Sequence, residues 1–308
     1  LLAGRVILVS GAGDGLGRAA SLAYARHGAT LILVGRTQKK LEAVYDEILA
    51  EQLANPMLMP LDLAKAGLRE FELIAAAIER EFGRLDGLLH SAATLGTLTP
   101  LALYDLDTWQ RVMQVNFNAA YLLTRACLGV LERSADASVI FTTSEMARQG
   151  RAYWGAYAAA GAALENLAQV WADELNTNSP IRMNTLDPGA VRTALRARAY
   201  PGENPLTLPA PEDVMSLYLY LMGPDSRHTT GQALMMAFQA AGPHAQDRGL
   251  EAVAYAWREM KHVPETTLWE KPQGKNPPLK IEKKFTIVPR GVALVIACST
   301  FPTWNGYP

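Results

Sequence analysis

A serine and a tyrosine thirteen residues apart carry the most legible chemistry of this chain: Ser144, closing "ASVIFTTS", and Tyr157, within "RAYWGAYAAAG". A phenol can protonate the oxygen of a carbonyl that is receiving hydride, and a serine hydroxyl can hold that oxygen in place. For this the serine must end a strand and the tyrosine must face it from the next helix. Position i+4 of that helix shares the tyrosine's face, which is the place for a cationic helper. Gly161 stands there. It supplies no charge, and a glycine inside a helix costs about 1 kcal/mol against alanine, so helix stability does not account for it. As an isolated pair the two residues also fit plain structural roles, Ser144 as a strand-end cap and Tyr157 as a packed helix tyrosine.

The elements needed to position them are present. Short β-rich runs alternate with longer helical patterns: "RVILVS" then "GRAASLAYARHG", "TLILVG" then "KKLEAVYDEILAEQL", "MLMPLDL" then "LREFELIAAAIEREFG". "LDGLLHSAA" supplies a fourth strand, a helix is predicted over 107–132, "ASVIFTTS" is a fifth strand, and a long helix is predicted over 153–176. "IRMNTLDPG", a helix in "APEDVMSLYLYLMG" and a last strand in "GQALMMA" complete the series. Strands separated by helices of this length predict right-handed βαβ units and a parallel sheet. The fold class is α/β, a Rossmann-type doubly wound parallel sheet, whose strand carboxyl ends bind ligands. Ser144 falls at such an end.

"VSGAGDGLGRAA" sets Gly11, Gly15 and Gly17 between the first strand and the first helix. Such a turn admits a pyrophosphate close to the backbone and aims a helix N-terminus at its charge. A bare ribose is usually marked by an acidic residue after the second strand; this chain has "LVGRT" there. Arg36, with Arg18 as a second cation, suits a 2′-phosphate, so NADP(H) is preferred, with NAD(H) the alternative; Arg36 also fits as a solvated surface arginine. Asp62 in "PLDLAK" reads as an adenine contact, as a cap for the following helix, or as both.

With "HSAA" at 90–93, Asn116 in "VMQVNFNAA" and "DPGAVRT" at 187–193, residues 1–242 resemble the classical short-chain dehydrogenase/reductase family. "RQGRAYWGAYAAAG" and "LYLYLMGPDSRHTTG" look more narrowly like its YciK-like bacterial branch. The resemblance implies that Ser144 orients a substrate carbonyl, Tyr157 is the acid/base and Asn116 holds a water in a proton relay. Asn116 otherwise fits as a hydrogen bonder in a helix kink. The implied cofactor contacts are Ser10, Gly11, Gly15, Leu16, Gly17, Arg36, Asp62, Leu63 and Ala92, with Pro188, Gly189 and Thr193 beside the nicotinamide. A homodimer or homotetramer built on the long helices is also implied. The family motif is Tyr-x-x-x-Lys, its lysine lowering the tyrosine's pKa and binding the nicotinamide ribose, and here Gly161 replaces that lysine. Ser91 and Ala93 depart from the family's Asn-Asn-Ala-Gly, which predicts weaker cofactor binding. Arg148 and Arg151 lie on the loop between Ser144 and Tyr157, but the sequence does not bring either to the site. The expectation is an impaired oxidoreductase on a small carbonyl/alcohol pair, reduction suffering less than oxidation; the alternatives are a cofactor-binding pseudoenzyme and a non-functional chimera. The connection 190–212 is expected to be long, irregular and lid-like, with Arg196 and Arg198 solvated rather than pairing with an anionic substrate.

Composition sets the outer bounds. The formal charge of −1 has no run of like charges behind it, so no nucleic-acid or membrane partner is expected. Cys127 and Cys298 match no metal or redox spacing, and with no export signal the expected compartment is the cytoplasm. The chain opens without methionine, so a few residues are expected to precede it. The pattern breaks near Ala240: residues 243–308 hold nine Lys/Arg against six Asp/Glu and eight of the 18 prolines. These residues are read as a separate extension with one helix in "GLEAVAYAWREMKH" and strands in "LKIEKKFTIVP" and "GVALVIACS". The stretch "PRGVALVI…PTWNGYP" resembles part of an aldehyde dehydrogenase of the phenylacetate-degradation type, with Asn305 at the oxyanion-stabilising position. No nucleophilic cysteine follows within the chain, so a working aldehyde dehydrogenase is not expected, and Cys298 reads as a structural thiol.

Overall fold

The computed structural model describes residues 1–175 and 179–236, together with two strands farther on, Thr266–Lys271 and Leu279–Lys284. Seven parallel strands form one sheet in the order β3-β2-β1-β4-β5-β6-β7. They are β1 (Val6–Ser10), β2 (Thr30–Gly35), β3 (Met57–Pro60), β4 (Gly87–His90), β5 (Ala137–Thr142), β6 (Ile181–Asp187) and β7 (Ala233–Met235). The runs at β1 and β6 are buried along their whole length, as strands covered on both faces must be. On one face α3 (Leu68–Phe82), α5 (Ala119–Leu131) and α6 (Gly155–Leu175) pack through Phe71, Leu123, Cys127 and Trp171. On the other, α1 (Gly15–Arg26), α2 (Gln38–Ala50) and α8 (Met215–Met222) pack through Tyr24, Leu41 and Tyr218. Strand order reverses between β1 and β4, and a crevice forms at such a switch point.

The helix expected over 107–132 is broken. It runs as α4 (Leu106–Met113), a π-helical turn Gln114–Asn118, then α5. Hydrophobic periodicity does not register one inserted residue, although such bulges concentrate at functional sites. Asn116 sits inside the turn and is buried. In α6 the buried positions Ala156, Ala160, Leu164, Ala168 and Ala172 repeat every four residues, so its small-residue face is spent on its own sheet.

Two expectations need correction here. The connection 190–212 is not irregular throughout: it contains α7 (Ala194–Ala199), started by Thr193, whose hydroxyl accepts a hydrogen bond from the Arg196 amide, and 3-10 turns at Pro205–Thr207 and Pro211–Val214. The helix expected over 210–223 is helical only from Met215, because Pro211 and the Asp213–Ala210 capping contact favour a 3-10 entry.

Packing divides the chain into Leu1–Ala237 and Phe238–Pro308. In the second unit β8 (Thr266–Lys271) and β9 (Leu279–Lys284) pair antiparallel, Thr266 opposite Lys284 and Lys271 opposite Leu279. β9 opens the predicted "LKIEKKFTIVP" strand, whereas β8 was not expected. The predicted helix in 249–262, the strand "GVALVIACS", Cys298 and Asn305 lie outside the described residues. Among the described residues no helix is long and apolar enough to cross a membrane, and no cluster of side chains suits a metal ion.

Candidate active site

A groove of about 620 Å³ runs across the carboxyl ends of the strands. At one end lies the glycine turn. Gly11 takes φ +71° and lies against the next strand's exit: a Cβ there would sit 2.7 Å from the Ala92 nitrogen. A Cβ on Gly17 would meet the Gly11 carbonyl oxygen at 2.3 Å. Gly15 is required for its φ of +49°, since Asp14 caps α1 by accepting a hydrogen bond from the Gly15 amide at 2.8 Å. Gly11, Gly15 and Leu16 line the groove, with the N-terminus of α1 beside them. Ser10 and Gly17 do not line it. Ser10 accepts hydrogen bonds from the Ser91 and Ala92 amides at 3.3 and 3.4 Å and so ties the β1 and β4 exits together. Gly17 shapes the turn from behind, while Ser10 lines a smaller cavity that Tyr157 also lines.

Arg36 is exposed, lines the groove and has no ion pair among the described residues. Arg18 is not the second cation: it is paired with Glu47 and Glu212 and is absent from the groove wall. Lys40, which sequence reasoning missed, lines the groove beside Arg36 and pairs with Asp14. Its place one turn into α2 was the available signal. Asp62 and Leu63 line the groove. Asp62 does not cap α3, whose N-cap is Gly67; its carboxylate accepts from the Ala64 amide at 3.2 Å and forms a local turn.

Ser144 and Tyr157 meet at the other end of the groove and also line a second cavity of about 30 Å³, shared with Asn116 and Gly161. Burial pushes the Tyr157 phenol above its ordinary pKa; the Ser144 hydroxyl offsets part of the rise and the Asp187 carboxylate adds to it. Among the described residues no cation offsets that rise. Arg148 spans Glu165, at 2.5 Å, and Asp187, while Arg151 pairs with Glu145 at 3.3 Å. Neither replaces the motif lysine. A Cβ on Gly161 would lie 3.1 Å from the Ala147 Cβ, a contact tight enough to require a small shift. Asn116 binds the Thr94 backbone from both ends of its amide, accepting from its N–H at 2.8 Å and donating to its carbonyl at 2.9 Å. The side chain thus fixes the β4 exit loop, and Nδ2 keeps a second hydrogen. Ala92 and Ala93 of that loop line both spaces, as does Ser144.

Pro188, Gly189 and Thr193 line the groove opposite, Gly189 at φ +74° with its amide bonded to Asp187 at 2.9 Å. Arg196 is not solvated. Its guanidinium makes two bonds to Glu203, at 2.7 and 2.8 Å, and stacks 3.7 Å from the Tyr200 ring centre. Arg198 is exposed on the groove wall. Trp154 and Tyr200 also line it; spacing alone could not find them, because they meet through the fold of the loop before α6 and the end of α7.

The sequence matches the model of the short chain dehydrogenase family over residues 5–204. The chain belongs to that family. It is 47% identical over 231 residues to the uncharacterized oxidoreductase YciK of Escherichia coli K12, covering 75% of this chain and 91% of the relative. A protein assigned to the short chain dehydrogenases from Pseudomonas syringae superposes with TM-score 0.75 at 51% identity, over 76% of this chain and 95% of that one. Another, from Escherichia coli CFT073 and complexed with NADPH, superposes with TM-score 0.74 at 47% identity, over 76% and 97%. Family membership thus rests on the body of the chain, where the sheet and the groove are.

Proposed function

We propose that this short chain dehydrogenase is an NADP(H)-type oxidoreductase acting on a carbonyl/alcohol pair, with its acid/base step impaired by Gly161. The observation that carries the reading is that one groove joins the glycine turn and Arg36 to Ser144 and Tyr157. The residues fit a dinucleotide: the turn has no Cβ where its backbone packs closest, α1 presents its N-terminus, and Arg36 and Lys40 offer charge for a 2′-phosphate. The NADPH complex of the Escherichia coli CFT073 neighbour supports the same choice. When bound, the reduced cofactor supplies hydride.

The chain's own residues handle the oxygen and the proton. Ser144 donates a hydrogen bond to the carbonyl oxygen, and Tyr157 gives it a proton. The cavity between Asn116, Tyr157 and Gly161 has room and polar lining for water, through which the phenolate regains its proton. Burial and Asp187 keep Tyr157 protonated, which preserves it as an acid for reduction and weakens it as a base for alcohol oxidation. General acid–base catalysis is worth roughly 10²–10⁴-fold, which sets the scale of the loss at the proton step. The exposed rings and side chains of Tyr121 and Val170, on α5 and α6, support a homodimer or homotetramer.

NADPH consumption against a panel of aldehydes and ketones, compared with Tyr157→Phe, tests the reading. Slow turnover that the variant abolishes supports it. NADPH binding with no turnover above the variant would favour the cofactor-binding pseudoenzyme, which the uncompensated Tyr157 also supports.

A further inference from the structure

The groove wall next to Tyr157 is aromatic. The Trp154 ring lies against that of Tyr157, centroids 5.6 Å apart with planes at 64°, and against Tyr200 at 5.7 Å and 39°. All three line the groove, and Trp154 is half-buried, leaving part of the indole open. Its backbone is held on both sides. Tyr153 takes φ 75°, which is rare for a bulky residue, and its carbonyl accepts a hydrogen bond from the Thr99 amide at 3.3 Å. At Trp154 itself the amide donates to the Arg151 carbonyl at 3.3 Å and the carbonyl accepts from the Ala158 amide at 2.9 Å. Strained backbone of this kind persists where the surrounding structure enforces it, often at ligand sites.

Two of the charges along this wall are committed. Arg196 is taken up by Glu203 and by the ring of Tyr200, and Glu145 by Arg151. A substituent leaving a carbonyl held at Tyr157 and Ser144 meets the rings that adjoin Tyr157, while Arg111 and Arg198 of the same groove have no ion pair among the described residues. Offset or edge-on ring contacts favour an aromatic partner over a saturated one of equal size.

Resting on the reductase reading, we propose that the substrate is an aryl aldehyde or aryl ketone whose ring packs on Trp154, making Trp154 a specificity-determining residue. The reaction is a two-electron reduction: NADPH, a proton and the aryl carbonyl give NADP+ and the aryl alcohol.

Calorimetry on the full chain loaded with NADP+, which cannot turn over a ketone, tests this with acetophenone and its saturated counterpart cyclohexyl methyl ketone. Acetophenone is expected to bind about two- to twelvefold more tightly. Trp154→Phe should keep the preference and Trp154→Leu should remove it, both with NADP+ affinity unchanged. Equal binding of the two ketones, binding of neither, or a preference surviving in Trp154→Leu would overturn the proposal and leave the reductase reading standing. Failure of NADP+ itself to bind would overturn both.

Discussion

On the proposed reading, the proton step is limited by Gly161. The phenol four residues before it is raised by burial and by Asp187, so bringing an ammonium to this face should lower its pKa and quicken the proton step. The backbone sets a condition on that experiment, because any side chain at 161 starts 3.1 Å from the Ala147 Cβ. We expect Gly161→Lys combined with Ala147→Gly to raise carbonyl reduction at least about tenfold and to move the rise of alcohol oxidation to lower pH, with Gly161→Lys alone gaining less. Steady-state rates across pH check this; equal rates in wild type and double variant would show that the missing charge is not what limits turnover. At this scale the sequence was informative about identity and uninformative about contact. Ser144, Tyr157 and Gly161 could be read from type and spacing. Arg148's engagement with Glu165 and Asp187 could not, since it joins three elements that only the sheet brings together.

Among the elements, β4 and its exit loop carry the site's alignment. His90, the last residue of β4, stacks on Phe141 of β5 with centroids 4.9 Å apart, and its Nε2 lies 2.8 Å from the Thr124 hydroxyl of α5. Burial lowers its pKa to about 3, well under the ordinary value of about 6.5. Between these values the unfolded chain binds a proton that the folded chain refuses, so stability falls as pH drops from about 6.5 toward 3. His90→Gln, which keeps a hydrogen bonder for Thr124, should flatten that part of the profile. Urea unfolding at about pH 7 and pH 5 measures it, and an unchanged pH dependence would contradict the assignment. The strands were legible because parallel strands buried on both faces read as unbroken apolar runs, as "VILVS" and "TLILVG" do. The π turn around Asn116 was not, because the buried positions Val112, Asn116, Ala119 and Leu123 keep helical spacing through it.

For the whole molecule, the amino ends of the strands, opposite the groove, are fastened through Asp136. Its carboxylate meets Arg5 at 3.0 Å, Arg227 at 3.5 Å, and Arg182. Burial lowers the pKa of both Arg5 and Arg182, so removing their shared anion strands two buried cations. Asp136→Asn should cost about 3–5 kcal/mol, seen as a lower urea midpoint; a loss under about 1 kcal/mol would mean that the cations find other partners. The rhythm of alternating strands and helices made this sheet predictable through β7. The wall of Trp154, Tyr157 and Tyr200 was not predictable, because Tyr153's positive φ and the α7 turn create it in space rather than in sequence.

A fluorescence titration of the protein with NADPH and with NADH asks whether the groove is a working NADP(H) site. We expect saturable binding that favours NADPH, with the preference lost in Arg36→Glu. Equal affinity for the two cofactors in wild type, or binding of neither, would contradict it.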